Sequence, residues 1–565
     1  MSTLRELSRV CMAANGRGLA TRLTVAALTD LAPRSSATFS LTKGFRLTSP
    51  SAADKRFSFS RRAAGVLLHP TSLLGRHGSG DLGVEAYRFA DFLAAADQTW
   101  WQMLPVGPPG PGNSPYASFS AFAGGSLLID LDKLVELQLL TPHEAEPVAG
   151  LRDDRVSYGD MLPYRESRLR LAFERFRQRH HGRGDEFEAF CHTQADWLEN
   201  YALFAAVKRA HELRAWWTWG REIRLRRPEA VASASRELRD EVEFERWMQF
   251  EFDRQWHALR QYCHDRGVGL IGDIPIFVAL DSADVWSHRE LFQLDREGNP
   301  TVVSGVPPDY FSSTGQRWGH PLYRWPAHRK SGFAWWAARF RAMLRWFDAV
   351  RIDHFLGFYR CFNVPAKNQT AEHGEWTLTP GKPLLSAVEE AVGGHVEIIA
   401  ENLGLVTPEA EALRKHFGYP GMIILQFAWG DDEPSRRSLP HAHERDNVVY
   451  TGTHDNDTTR AWFAELPAAS GGIGPRERAQ RYMATHGDEM HWDLIRLAHR
   501  SPANTAIVPV QDLLGLGQEG RMNVPGTAEH NWEWRLRRGA LHAGIGSRLR
   551  DLTHTYERAA AKETR

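Results

Sequence analysis

Eight short, almost continuously apolar runs recur along the chain, at 64–70, 99–105, 268–275, 347–353, 396–401, 422–427, 447–455 and 505–512, each ending in polar residues, glycine or proline. Runs without polar alternation suit strands buried on both faces, as a parallel sheet requires. Between them, apolar residues at helical spacing predict helices over 84–96, 333–346, 384–392, 408–416 and 476–499. Strands alternating with helices point to an α/β fold, a (β/α)8 TIM barrel, in which catalytic groups sit at the C-terminal strand ends. A doubly wound open sheet is the alternative, and the lack of a GxGxxG motif after the first run counts against it.

Two intervals are too long for simple connections. Residues 107–266 carry helical patterns and are expected to form an α-rich inserted subdomain over the barrel mouth. Residues 277–325 are rich in Gly, Pro, Asp, Ser and aromatics and are expected to be an active-site loop region. The catalytic barrel as a whole is assigned to 61–565. Residues 1–60, rich in Arg, Ser, Thr and Ala and poor in acids, are read as a flexible N-terminal extension, with a transit peptide or translated upstream sequence as alternatives.

The last residues of the runs carry the chemistry. The segment Phe347-Asp-Ala-Val-Arg-Ile-Asp-His-Phe355 puts Arg351 and Asp353 on one face of a strand. An adjacent cation favours an ionised carboxylate, which suits a nucleophile, although an ordinary ion pair has the same pattern. Asp273, Glu401 and Asp455 close three further runs, so four carboxylates converge on one mouth. Paired carboxylates are the apparatus of glycoside chemistry. Glu401, with no cation beside it in sequence, is the better acid/base, unless it merely caps the next helix. His454 and Asp455 could clamp sugar hydroxyls, or form an Asx turn.

Charge and cysteine usage narrow the classes. Lys+Arg and Asp+Glu both number 69, so no net field favours nucleic acid or an anionic membrane. The four cysteines lack disulfide-framework or zinc spacing. No run reaches the roughly 18 apolar residues that cross a bilayer. Neither a metal nor a cofactor is required, and a reducing compartment fits.

The segments Gly272-Asp-Ile-Pro-Ile-Phe-Val278, Arg351-Ile-Asp-His354, Ala400-Glu-Asn-Leu-Gly404 and Gly452-Thr-His-Asp-Asn-Asp457 resemble, in order, the motifs of the 4-α-glucanotransferase (amylomaltase) family, glycoside hydrolase family 77 of the α-amylase clan. Leu68-His-Pro-Thr-Ser72, Asn113-Ser-Pro-Tyr-Ala-Ser-Phe-Ser-Ala-Phe-Ala-Gly124, Gly305-Val-Pro-Pro-Asp-Tyr-Phe-Ser312, Thr314-Gly-Gln-Arg-Trp-Gly319 and Arg521-Met-Asn-Val-Pro-Gly526 agree with it. The family pattern has Gly-Asn-Pro where this chain has Gly124-Gly-Ser126 and Gly319-His-Pro321, differences that bear on acceptor preference.

The resemblance implies Asp353 as nucleophile, Glu401 as acid/base and Asp455 as a third carboxylate holding hydroxyls. It further implies that Arg351 orients Asp353, that His454 and Asp273 line the sugar pocket, and that Ser114, Tyr116, Asp309, Gln316, Trp318 and Asn523 contact glucan. The implied reaction moves α-1,4-glucan segments from a donor to the 4-hydroxyl of glucose or a maltooligosaccharide, without cofactor, in a cytoplasmic monomer or small homo-oligomer. A plastid is the alternative location. An α-1,4-glucan hydrolase and a non-catalytic glucan-binding protein are the rival functions.

Overall fold

The structure is a computed structural model that describes residues 56–179, 183–308, 312–404, 406–467 and 473–559. Most of the N-terminal extension expected from the sequence, and Asp309, lie outside the described residues. In chain order the strands are β1 (Ala63–Leu67), β2 (Trp100–Gln102), β3 (Gly269–Pro275), β4 (Val302–Val306), β5 (Gln316–Pro321), β6 (Ala349–Asp353), β7 (Arg360–Pro365), β8 (Glu375–Leu378), β9 (Ile398–Ala400), β10 (Gly421–Ile424), β11 (Asn447–Tyr450) and β12 (Thr505–Pro509).

The expected barrel is present. Strands β1, β2, β3, β6, β9, β10, β11 and β12 pair in that order, all parallel, and β12 closes onto β1. Each corresponds to one of the apolar runs. Alternate residues divide between two cores, as a period of two demands. Ala63, Trp100, Ile271, Ala349, Ile399, Val448 and Ile507 fill the interior. Val66, Trp101, Leu270, Val350, Ile398 and Val508 face the surrounding helices. On β6 this puts Arg351 and Asp353 on the inner face with Ala349. Gly65 makes room for the indole-bearing strand beside it, since a Cβ there would lie 2.5 Å from Trp100 Cβ.

Helices span Val84–Ala95, Ala334–Trp346, Gly381–Val392 and Pro408–His416, close to the predicted ranges. The predicted 476–499 helix is instead two, Pro475–Met483 and Met490–Arg500. Ala484 turns left-handed at φ 54° and Gly487 at φ 91°, ending the first before the second starts. Residues 158–265 are largely helical, through Tyr158–Arg179, Gly184–Thr193, Ala195–Ala210, Arg221–Arg224, Pro228–Glu237 and Arg239–Asp265.

The interval 277–325 is more ordered than its composition suggests. It contributes β4 and β5 to an antiparallel sheet of order β5-β4-β7-β8. Two strands of this sheet precede β6 and two follow it, and the pairing of Val302 with Pro365 through Gly305 with Phe362 ties the two connections together. Val303, Phe362, Val364 and Ala371 form its own small core.

Candidate active site

Strand β6 delivers a carboxylate to the barrel mouth and a guanidinium beneath it. Arg351 Nη2 donates to Asp353 Oδ1 at 2.9 Å, and Nη1 to Asp273 Oδ2 at 2.7 Å on β3. The register explains this, because Asp273 pairs with Arg351 and Pro275 with Asp353. Asp353 is 34% exposed while Arg351 is 6% and Asp273 1% exposed, so only the outer carboxylate can meet a ligand directly. Burial alone would lower the Arg351 pKa, but Asp273 and Asp353 hold it well above the ordinary value. Burial pushes the Asp273 carboxyl up to about 7 against the pull of Arg351.

Glu401 follows β9 directly. Ile352 pairs with Ala400, so Asp353 and Glu401 are the next residues on adjacent strands. Both carboxylate oxygens of Glu401 are held by main-chain amides: Oε2 by His354 N–H at 2.7 Å and Oε1 by Leu403 N–H at 2.8 Å. His354 adopts a left-handed conformation, φ 55° and ψ 56°, uncommon for a residue with a side chain. Burial pushes the Glu401 carboxyl up to about 7; Arg351 opposes this, and the charge of Asp353 reinforces it. Near neutrality this group therefore holds a proton for much of the time.

Asp455 lies on the turn after β11. Thr453 and Asn456 form the turn itself, Thr453 Oγ1 donating to Asn456 Oδ1 at 2.9 Å, which leaves Asp455 45% exposed. Asn523 Nδ2 donates to Asp455 Oδ1 at 2.7 Å, and His454 Nε2 stands 3.4 Å from Oδ2. Burial lowers the His454 pKa against the pull of Asp455, which favours the neutral ring.

An aromatic wall joins these groups. The Tyr116 ring stacks on His454 at 5.1 Å and its hydroxyl donates to Asp273 Oδ2 at 2.8 Å. Ser114 caps this turn by accepting from Tyr116 N–H at 3.3 Å, and so orients the tyrosine. Trp532 packs against both rings, 5.8 Å from Tyr116 and 5.9 Å from His454. The sequence reading did not single out Trp532; its place beside the Arg521–Gly526 motif was the available signal. On β5, Trp318 meets His354 edge-on at 4.8 Å, and its Nε1 donates to the exposed Gln316 at 3.2 Å.

Thus Asp273, Arg351, Asp353 and Glu401 form one cluster, Tyr116 links it to His454, Asp455 and Asn523, and His354 links it to Trp318. Among the described residues, His77, Asp81 and Asp130 have a geometry that could hold a metal ion, apart from that cluster. Arg165 stands 3.4 Å from Asp81 and supplies a cation there already.

The family model described as 4-alpha-glucanotransferase, glycoside hydrolase family 77, matches residues 68–541. The chain belongs to this family. The 4-alpha-glucanotransferase of Synechocystis sp. is 46% identical over 502 residues, 88% of this chain and 98% of that protein. The Thermus thermophilus 4-alpha-glucanotransferase is 47% identical over 509 residues, 88% of this chain and 99% of its own. Among solved structures, an amylomaltase from Streptococcus agalactiae in complex with acarbose superposes with a TM-score of 0.84 at 36% identity, covering 88% of this chain and all of that one. The motifs that define the 4-alpha-glucanotransferase resemblance are therefore the strand ends and turns that build this site.

Proposed function

We propose that this chain transfers α-1,4-glucan segments by a retaining double displacement. The observation that carries the reading is the contrast between two adjacent strand-end carboxylates: Asp353, charge-paired with Arg351, and Glu401, held by two main-chain amides and raised to about 7. Asp353 attacks the anomeric carbon while Glu401 protonates the departing glycosidic oxygen, giving a glycosyl-enzyme. Glu401, now ionised, takes the proton of the acceptor 4-hydroxyl, whose oxygen displaces Asp353. Retaining chemistry needs carboxyl groups about 5–5.5 Å apart, close to the roughly 4.8 Å between neighbouring strands.

The remaining polar groups position the sugar. Asp455, held by Asn523, accepts ring hydroxyls, and neutral His454 completes that clamp. Asp273 and Arg351 act beneath, with Arg351 facing both Asp273 and Asp353. Trp318 and Gln316 on β5, joined to the carboxylates through His354, would hold the acceptor and favour a sugar over water as the second nucleophile, with Asp309 as a further glucan contact. Among the described residues Cys191, Cys263 and Cys361 are free.

The test is incubation with maltotriose alone, following chain lengths and total reducing ends. Glucose plus a ladder of longer glucans at constant reducing ends is the expected result. Rising reducing ends without a ladder would make the protein a hydrolase, and no change would return it to the glucan-binding reading.

A further inference from the structure

Within the segment Arg521-Met-Asn-Val-Pro-Gly526, Asn523 touches the Asp455 carboxylate, and Arg521 touches what stands behind both residues. The Arg521 guanidinium donates from each of its three nitrogens to a different residue. Nε reaches the Asn523 carbonyl at 3.1 Å, Nη1 the Asp457 carboxylate at 3.2 Å and Nη2 the Asp455 carbonyl at 3.4 Å. One rigid, planar fork thus joins the turn after β11 to the loop after β12.

The turn between Thr451 and Thr459 is anchored at its two ends by another carboxylate. Thr451 Oγ1 donates to Asp512 Oδ2 at 2.5 Å, and Thr459 N–H to Asp512 Oδ1 at 2.7 Å. Asp512 is buried and lies just beyond β12, so the ends of the turn are tied to the barrel wall. The crest that carries Asp455 is closed on itself by Thr453 and Asn456, and Gln426 Nε2 reaches the Asp457 carbonyl at 2.9 Å. None of these bonds touches the Asp455 carboxylate. Its direction is set by Asn523 Nδ2, on the loop whose main chain Arg521 grips.

The grip is charged at its centre. The Asp457 side chain is 9% exposed and that of Arg521 27%, and the other oxygen of Asp457 accepts from Thr458 N–H at 2.8 Å. A largely dehydrated, hydrogen-bonded pair of this kind holds a geometry better than an exposed one. The loop that it holds continues into the aromatic wall. The Met522 carbonyl accepts from Trp532 N–H at 2.8 Å, and Asn531 Oδ1 from Val524 N–H at 2.9 Å.

We infer that Arg521 is a positioning residue for the third carboxylate, keeping the turn of Asp455 and the loop of Asn523 in the register in which Asp455 takes sugar hydroxyls. The role rests on the reading of Asp455 as the hydroxyl clamp. Hydroxyl contacts that strengthen as the sugar ring distorts lower the barrier more than they tighten donor binding. A misaimed Asp455 therefore costs kcat before KM.

The test is a mutant cycle on maltotriose cleavage, with transfer and hydrolysis counted together so that the result is independent of the acceptor. Arg521→Met keeps the stem and loses every donor; it should lower kcat about 30- to 100-fold with KM within about threefold. Asp457→Asn, which leaves no carboxylate buried without its cation, should lower kcat about tenfold, and it serves should Arg521→Met fail to fold. Arg521→Lys should recover little, because an ammonium cannot span the three acceptors. In an Asp455→Asn background either change should cost less than about threefold more, since nothing remains for Arg521 to aim. Losses that multiply, or an unchanged kcat with only a lower melting temperature, would overturn the role. Failure of the underlying reading looks different: full activity of Asp455→Asn, or no cleavage by the unaltered chain, overturns the clamp and the positioning role together.

Discussion

The main-chain amide of His354 donates to Glu401 Oε2 at 2.7 Å, so the residue after Asp353 fixes the orientation of the carboxyl on the next strand. The bond exists because His354 is left-handed. His354→Asn, which tolerates that conformation, should keep kcat for maltotriose within about threefold. His354→Val, whose branched side chain does not, should misplace Glu401 and lower kcat by about 10²-fold. Steady-state kinetics on folded variants checks this; equal losses would show that the ring contact with Trp318, and not the backbone, matters.

Glu401 should govern the alkaline limb of activity. With its carboxyl raised to about 7, kcat/KM for the donor should fall above that pH as the proton is lost. Glu401→Gln should lower kcat by about 10²–10⁴-fold and abolish the limb. Stability carries the same signature. The folded chain retains this proton between the ordinary 4.5 and about 7, so its stability should decline as pH rises through that window. Melting curves of Glu401→Gln should lose part of that slope; an unchanged slope would mean that other groups set it.

Trp532 should matter through the rings that it supports. Trp532→Ala removes contacts with Tyr116 and His454, each worth about 0.5–1.5 kcal/mol, and should lower kcat/KM about tenfold, chiefly through KM. Trp532→Phe should recover most of it. A pure loss of thermal stability with unchanged KM would reduce Trp532 to a packing residue.

Arg558 should be a stability residue with no kinetic role. Its guanidinium donates to the carbonyls of Ala63, Ala498, His499, Ser501, Ala503 and Asn504, at 2.8–3.3 Å, around the start of β1 and β12. Arg558→Ala removes this shared donor, although Arg62 still reaches His499, Ser501 and Ala503 and the Ala63 amide still reaches Asn504, and should cost about 1–3 kcal/mol, read from urea unfolding, at constant KM. Arg558→Lys should recover little, because an ammonium lacks the planar fork. Wild-type stability in the alanine variant would show that water replaces the side chain.

The barrel was legible because its strands are buried on both faces, so each stands out as a continuous apolar run, and because residues that end such runs share one mouth. Strands β4, β5, β7 and β8 were not, since Val302-Val-Ser-Gly-Val306 and the largely exposed Glu375-Trp-Thr-Leu378 carry no comparable signal and are defined by each other. The break at Ala484 was hidden within a helical pattern, where alanine ordinarily favours continuation. Trp532 and the His354 amide escaped for a different reason. One acts across more than 400 residues of separation and the other through the backbone, which side-chain motifs do not encode.

The pairing of β4 with β7 also sets an order of assembly. Val302 finds its partner Pro365 only after β6 and its Asp353 have been made, and the residues of β9 and Glu401 are later still. A growing chain thus completes the sheet flanking the mouth before it possesses the acid/base. The connections on either side of β6 are thereafter one body, and any breathing of the mouth at this point must tilt a four-stranded plate instead of bending a single loop. Amide exchange in β4 and β7 should accordingly rise and fall together, as a single cooperative unit.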